Sequence, residues 1–296
     1  MSWLNHTRRL ALMEEAVTVL FCLIDDAYAH LNPNARRYES LKRLSDSEVI
    51  TLALFQQLRG TESQRSFLRD TERFFSHLSP GIAGLHPSSL NRRFRKLRRF
   101  LEPLRRDVVN ELVGEPETLI ADSTLLSVLH PRQFAQSAGF EGAQWARWAS
   151  FAIYGMKLHL LCSTNRVPLS YELTAANVAD VLLVRELLAG AGFGEDGVAR
   201  RLLGDLAYRS GELGEALARC NILLATEKAD RRAPMRQQVE GCFAALKEIF
   251  GMAGTLAKTL TGLATRIAAK VAAYTYGLYV NRLLGRPQGR IKDLWA

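Results

Sequence analysis

The stretch RQQVEGCFAALK (236–247) sets one carboxylate between two cations. Wound as a helix at about 100° per residue, it brings Arg236, Glu240 and Lys247 within about 40° of one another. Val239, Cys242, Phe243, Leu246, Ile249 and Phe250 fill the adjoining arc, so the helix buries that flank and holds the charged stripe at the edge of the buried surface. A catalytic carboxylate would sit there, and so would the ion pairs of an ordinary surface helix. What decides between them is whether other parts of the chain bring further carboxylates to Glu240.

Upstream, the periodicity is that of strands. TLIADSTLLSVL (118–129) is a short apolar run between Pro116 and Pro131 with Asp122 inside it, which predicts a buried strand. A carboxylate there needs a hydrogen bond, an ion pair or a bound cation, because desolvating it alone costs several kcal/mol. SFAIYGMKLHLLCS (150–163), the turn TNR and VPLSYELTAAN (167–177) predict a hairpin. Residues 180–190 return to helical spacing, with Asp180 as the expected N-cap and Gly190 or Gly192 at the exit. RLLGDLAY (201–208) reads as a strand ending on Gly204-Asp205, followed by the helix GELGEALARC and the strand NILLAT (221–226). A basic connection, 228–235, leads into the helix of Glu240. This order implies an α/β mixed sheet flanked by helices, in which binding groups gather near the carboxyl ends of strands.

Asp122, Asp205 and Glu240 thus arise from a central strand, a strand end and a helix. Three carboxylates in one place repel unless a cation neutralises them. Magnesium accepts oxygen ligands, taking one or two carboxylates and completing its shell with water and substrate phosphate. A pair of such ions can activate the attacking oxygen and stabilise the leaving one in a phosphodiester displacement. Arg236 and Lys247 would then hold DNA phosphates, or stand by as ion-pair partners.

The N-terminal region, 1–114, is helical throughout by apolar spacing, with a capping box at Ser45-Asp46-Ser47-Glu48 and a helix expected over 62–78. In LHPSSLNRRFRKLRRFLEP, Leu90, Phe94, Leu97 and Leu101 form the apolar stripe. Arg92, Arg93, Arg95, Lys96, Arg98 and Arg99 cover the rest. Such a helix seeks an external polyanion, in the manner of a helix-turn-helix unit, or it is a solvated basic face. Pro103 is expected to end or kink it, and 112–117 to link to a second domain, 115–296, that includes the C-terminal helices.

Composition agrees with a polyanionic partner. The chain has 39 Lys and Arg against 30 Asp and Glu, a formal charge of +9. Its 4 cysteines and 6 histidines show no metal-ligand spacing, which argues against zinc and for reduced cysteines. No secretory signal opens the chain and VAAYTYGLYV (271–280) is too short to span a bilayer, so a cytoplasmic protein is expected, without membrane association.

Asp122 in LIADS, Asp205 in LLGDLAY, and Arg236, Glu240 and Lys247 at the spacing R-x3-E-x6-K resemble the DDE transposases of bacterial insertion sequences. YGMKLHLL (154–161) and LTAANVADV (173–181) are similar to that group as well. The resemblance covers nearly the whole chain. It implies a ribonuclease H-like catalytic domain behind a DNA-binding helical region, with Asp122, Asp205 and Glu240 as the metal-binding triad for Mg2+, Mn2+ substituting. It also implies terminal inverted repeats and target DNA as partners, phosphodiester hydrolysis with 3′-OH strand transfer, and a homodimer on DNA. Tyr208 is retained from the pattern. Leu206-Ala207 stand where relatives carry Lys and Gly, and Ala179 where they carry His. A non-catalytic DNA-binding descendant and a nuclease of this fold without strand joining are the alternatives.

Overall fold

The computed structural model describes residues 2–128, 139–148, 151–226, 233–254 and 256–295. The contacts divide the chain into two units: Met1–Val108 with Ile249–Gly251 and Thr265–Ala296, and Val109–Glu248 with Met252–Ala264.

The first unit is helical. It contains α1 (Ser2–Leu31), α2 (Asp46–Leu58), α3 (Gln64–Phe75), α4 (Pro87–Leu97) and the start of α5 (Leu101–Val113). The expected capping box forms at α2, with Glu48 N donating to Ser45 Oγ at 3.0 Å and Ser45 N to Glu48 Oε2 at 2.6 Å. α2 is buried on nearly every side, and Phe55 meets Phe67 and Phe75 of α3 edge to face. Pro103 does not break a helix. It lies in the first turn of α5, where its missing N–H is not needed.

α9 (Leu260–Leu283) supplies most of the remaining core of this unit. Ile267, Val271, Tyr274, Leu278 and Val280 are buried together with the small residues Ala268, Ala269, Ala272 and Ala273. A helix apolar on all sides needs partners all round, and the contacts group Thr265–Ala296 with the N-terminal helices. Tyr276 Oη donates to Leu104 O at 3.2 Å, and Lys270, 7% exposed, donates from Nζ to the Phe250 carbonyl.

The second unit is built on a six-stranded sheet. Its strands are β1 (Thr118–Ser127), β2 (Gln144–Trp148), β3 (Phe151–Ser163), β4 (Pro168–Ala175), β5 (Arg200–Gly204) and β6 (Ile222–Thr226). β3 is antiparallel to β1 on one side. On its other side it pairs with β2 over its first half and with β4 over its second. β5 and β6 continue the sheet parallel to β1. The path β4-β3-β1-β5-β6, with β3 alone reversed, is the ribonuclease H-like arrangement. α8 (Ala233–Ala244) packs on β1 and β3, α6 (Val184–Ala191) on β3 and β4, and α7 (Gly211–Ala218) on β6. Gly192, at φ 78°, ends α6 in the left-handed conformation a Cβ disfavours.

Candidate active site

β1 runs buried through Leu119, Ile120 and Ala121 and then reaches the half-buried Asp122. Its parallel register with β5 sets Ile120 opposite Leu203. Asp122 follows two residues further along β1, and Asp205 two residues further along the other chain segment, just past the end of β5. Both aspartates line one crevice with Ile120, Ala121, Leu203, Gly204 and Val239. Asp122 Oδ1 accepts from Ser123 N at 2.8 Å, and Asp205 Oδ1 from Ala207 N at 2.8 Å, where Asp205 caps the short turn Leu206–Tyr208. These bonds hold each carboxylate by its own local backbone.

α8 closes the crevice with Val239, which is fully buried. The next residue, Glu240, is exposed. At Ala245 the helix widens into a π turn, Ala245–Ile249. The constant 100° step therefore does not hold from Ala245 onward, where Lys247 lies. Lys247 is half-buried beside Asp122. Burial lowers its pKa and the charge of Asp122 partly restores it. Arg236 belongs to α8 by its backbone, and its side chain lies outside the described residues. The basic connection 228–235 lies largely outside them too.

Asp122 and Asp205 fit magnesium, which takes one or two carboxylates together with water and substrate phosphate. Among the described residues, no group of three His, Cys, Asp or Glu side chains is gathered for a metal ion. The structure thus pairs the two aspartates and leaves Glu240 next to the crevice-lining Val239, outside any such cluster.

Sequence reasoning passed over a buried polar group behind the aspartates. Asp180 starts a short turn, Asp180–Leu183, whose N-cap is Ala179, so its carboxylate is not a cap. It lies 3.2 Å from Lys157 Nζ and 3.3 Å from Nδ1 of the wholly buried His159. Lys157 also donates to Val178 O at 2.7 Å, and His159 Nε2 lies 2.8 Å from Thr174 Oγ1. Burial alone would raise the Asp180 pKa. His159, Ser123 and the Lys157 ammonium outweigh it and bring the value to about 2. The signal was present in KLH: polar residues two apart in an apolar strand share one face and must find partners there.

Tyr208 closes the same region. Its side chain is 1% exposed, and its hydroxyl has no hydrogen-bond partner among the described residues. Burial, then the charges of Asp180, Asp122 and Asp205, raise its pKa far above the usual phenol value.

In the first unit, α4 starts at Pro87 behind a His86 cap and buries Leu90, Phe94 and Leu97. Arg92, Arg95, Lys96, Arg98 and Arg99 are exposed. Arg93 is the exception: it donates to Asp46 Oδ1 at 2.7 Å and to Leu44 O at 2.8 Å. Among the described residues, no helix is long and apolar enough to cross a membrane.

The family model described as the transposase DDE domain matches residues 114–276, more than half of the 296 residues. The chain belongs to this family and is a transposase of the DDE type, an enzyme class that cuts and moves DNA. Solved structures similar to it include the piggyBac transposase synaptic complex with hairpin DNA. That likeness is 12% identical, covers 97% of this chain and 79% of that one, and has a TM-score of 0.45. The pre-cleavage Mos1 transpososome is 12% identical over 81% of this chain and 79% of that one, with a TM-score of 0.26. No curated protein sequence matches the chain.

Proposed function

We propose that the chain binds the terminal inverted repeats of an insertion sequence, hydrolyses phosphodiesters at the element ends and joins the freed 3′-OH groups to target DNA. The observation that carries this reading is that Asp122, inside β1, and Asp205, just past the end of the adjacent parallel β5, line one crevice. Asp122 and Asp205 hold Mg2+, or Mn2+ in its place, with Glu240 completing the triad from α8. Bound there, the ion supplies Lewis acidity and a more acidic attacking water or hydroxyl.

The chain's own residues do the rest. Lys247, half-buried beside Asp122, stands where a phosphate approaches. Arg236 contributes a second cation from α8. The backbone bonds at Ser123 and Ala207 keep both carboxylates oriented before substrate arrives. The exposed cations Arg92, Arg95, Lys96, Arg98 and Arg99 track the DNA backbone, and Arg93 orients their helix from within. Residues 1–114 hold DNA and 115–296 carry out the chemistry. A homodimer in the cytoplasm brings two sites to the two ends.

A labelled duplex of the terminal repeat, incubated with Mg2+, tests this. Wild-type protein gives cut ends and joined products, and Asp122→Asn, Asp205→Asn and Glu240→Gln bind the duplex without cutting it. Binding alone by the wild type identifies a non-catalytic descendant, and cutting without joining a nuclease. Unimpaired cutting by Glu240→Gln removes that residue from the triad.

A further inference from the structure

The loop Thr164-Asn165-Arg166 joins β3 to β4. Ser163 closes it: its carbonyl accepts from Arg166 N at 3.2 Å, and its N–H donates to Val167 O at 3.0 Å. Ser163 Oγ accepts from Asn165 N at 3.2 Å and from Val167 N at 3.3 Å. The last residue of a three-residue hairpin loop takes the left-handed conformation, a position that favours glycine. Here it is Arg166, at φ 62°. A long side chain in that conformation is uncommon and calls for a reason outside the loop.

The reason lies on α8. Arg166 Nε donates to Gln238 Oε1 at 2.8 Å. A Cβ built on Gly241 would lie 3.1 Å from Nε, 3.2 Å from Cζ and 3.3 Å from Cδ of Arg166, so the guanidinium rests where the helix has no side chain. At about 100° per residue, Gln238 and Gly241 lie about 60° apart, and Glu240 about 130° round the helix from their midpoint. Between the two flanks, Val239, Cys242 and Phe243 are buried. Apolar burial is non-directional and sets the roll of a helix loosely, whereas a hydrogen bond and a close fit on one flank set it sharply. A side chain reaching about 6 Å from the axis moves about 2 Å for a roll of about 20°.

We propose that Arg166 is a positioning residue for Glu240: it grips α8 at Gln238 and Gly241, fixes the roll of the helix, and so sets where the Glu240 carboxylate stands relative to the crevice of Asp122 and Asp205. Arg166 itself touches neither cation nor DNA. The proposal rests on Glu240 being the third acid of the site, as proposed above.

The test measures single-turnover cutting of the labelled end duplex with Mg2+, beside duplex binding and the denaturant midpoint, all on the full-length protein. Supporting groups behind metal ligands typically cost about 10- to 100-fold when removed, so Arg166→Gly is expected to cut about tenfold or more slowly, with duplex binding within about threefold of wild type. Its midpoint should not fall, because glycine adopts the left-handed conformation freely. Gly241→Ala, though alanine favours a helix, crowds the guanidinium and should also slow cutting. With Arg166→Gly already in place, Gly241→Ala should cost nothing further.

Wild-type cutting by Arg166→Gly overturns the proposal, and so does a Gly241→Ala loss that is the same with and without Arg166. Weakened duplex binding by Arg166→Gly, with a salt slope reduced by about 1, makes Arg166 a phosphate contact and overturns it as well. Should Arg166→Gly fail to fold, Gly241→Ala carries the test alone, and undiminished cutting by it is fatal. Glu240→Gln separates the two readings. If it cuts normally, the triad assignment fails and the positioning role with it. If it does not cut while Arg166→Gly cuts as wild type does, only the positioning role fails.

Discussion

The ring of Tyr208 occupies the space that a side chain at Gly204 would need: a Cβ built there lies 2.8 Å from ring carbons of Tyr208. Gly204 is the last residue of β5, directly before Asp205, so the absence of a side chain lets the turn fold back over the strand end. Gly204→Ala forces the Tyr208 ring outward. Overpacking of this kind costs about 1–3 kcal/mol, read as a lowered denaturant midpoint. Because Asp205 heads the displaced turn, end cleavage should fall together with stability, and unchanged stability would refute the packing argument.

Lys270 predicts an alkaline gain in stability. Burial first, then Arg266, brings its pKa to about 8, against a partial counter-effect from Glu62. The folded value is below the unfolded one, so the unfolded chain binds more protons between about pH 8 and 10.5 and this contribution to stability rises with pH there. Below pH 8 both states are charged and the burial cost is fully present. The difference between wild type and Lys270→Met, measured by denaturant titration at pH 7, 8, 9 and 10, should shift by a few kcal/mol, on the order set by the pKa displacement. A difference independent of pH contradicts it.

Asp180 predicts the opposite edge. Its folded pKa of about 2 lies below the ordinary carboxylate value, so its stabilisation is present above about pH 4 and lost as pH falls toward 2. Partial exposure discounts the amount to roughly 1 kcal/mol. Wild type should lose its advantage over Asp180→Asn in acid-unfolding curves across that window. Parallel curves would show that Lys157 and His159 do not hold the carboxylate.

α4 separates its arginines by role. Replacing Arg95, Lys96, Arg98 and Arg99 with Ala should weaken duplex binding and reduce the slope of log K against log salt by about 3 to 4, if each meets a phosphate. Arg93→Ala should leave the slope nearly unchanged and lower stability, since Arg93 serves Asp46 and the Leu44 carbonyl. Fluorescence anisotropy at several salt concentrations distinguishes them.

Much of this was legible because burial leaves a plain mark on strands. The apolar runs around Asp122, Leu160 and Leu203 predicted β1, β3 and β5 within a residue or two, and the Ser45–Glu48 box located α2. Strand β2 was not legible: Gln144 and Arg147 interrupt a short edge segment and mask its alternation. The π turn at Ala245 leaves no periodic signature, so a projection at a constant 100° passed over it. Asp180 resembled a cap because an aspartate before a helical run commonly is one. Its partners Lys157 and His159 come from a strand about twenty residues earlier, a tertiary pairing that local spacing does not encode.

Anomalous diffraction from crystals of the protein with its end duplex and Mn2+ tests the central claim most directly. The account predicts a manganese peak bridged by the carboxylates of Asp122 and Asp205. A peak at other residues, with these two aspartates free of metal in a complex competent to cut, would contradict it.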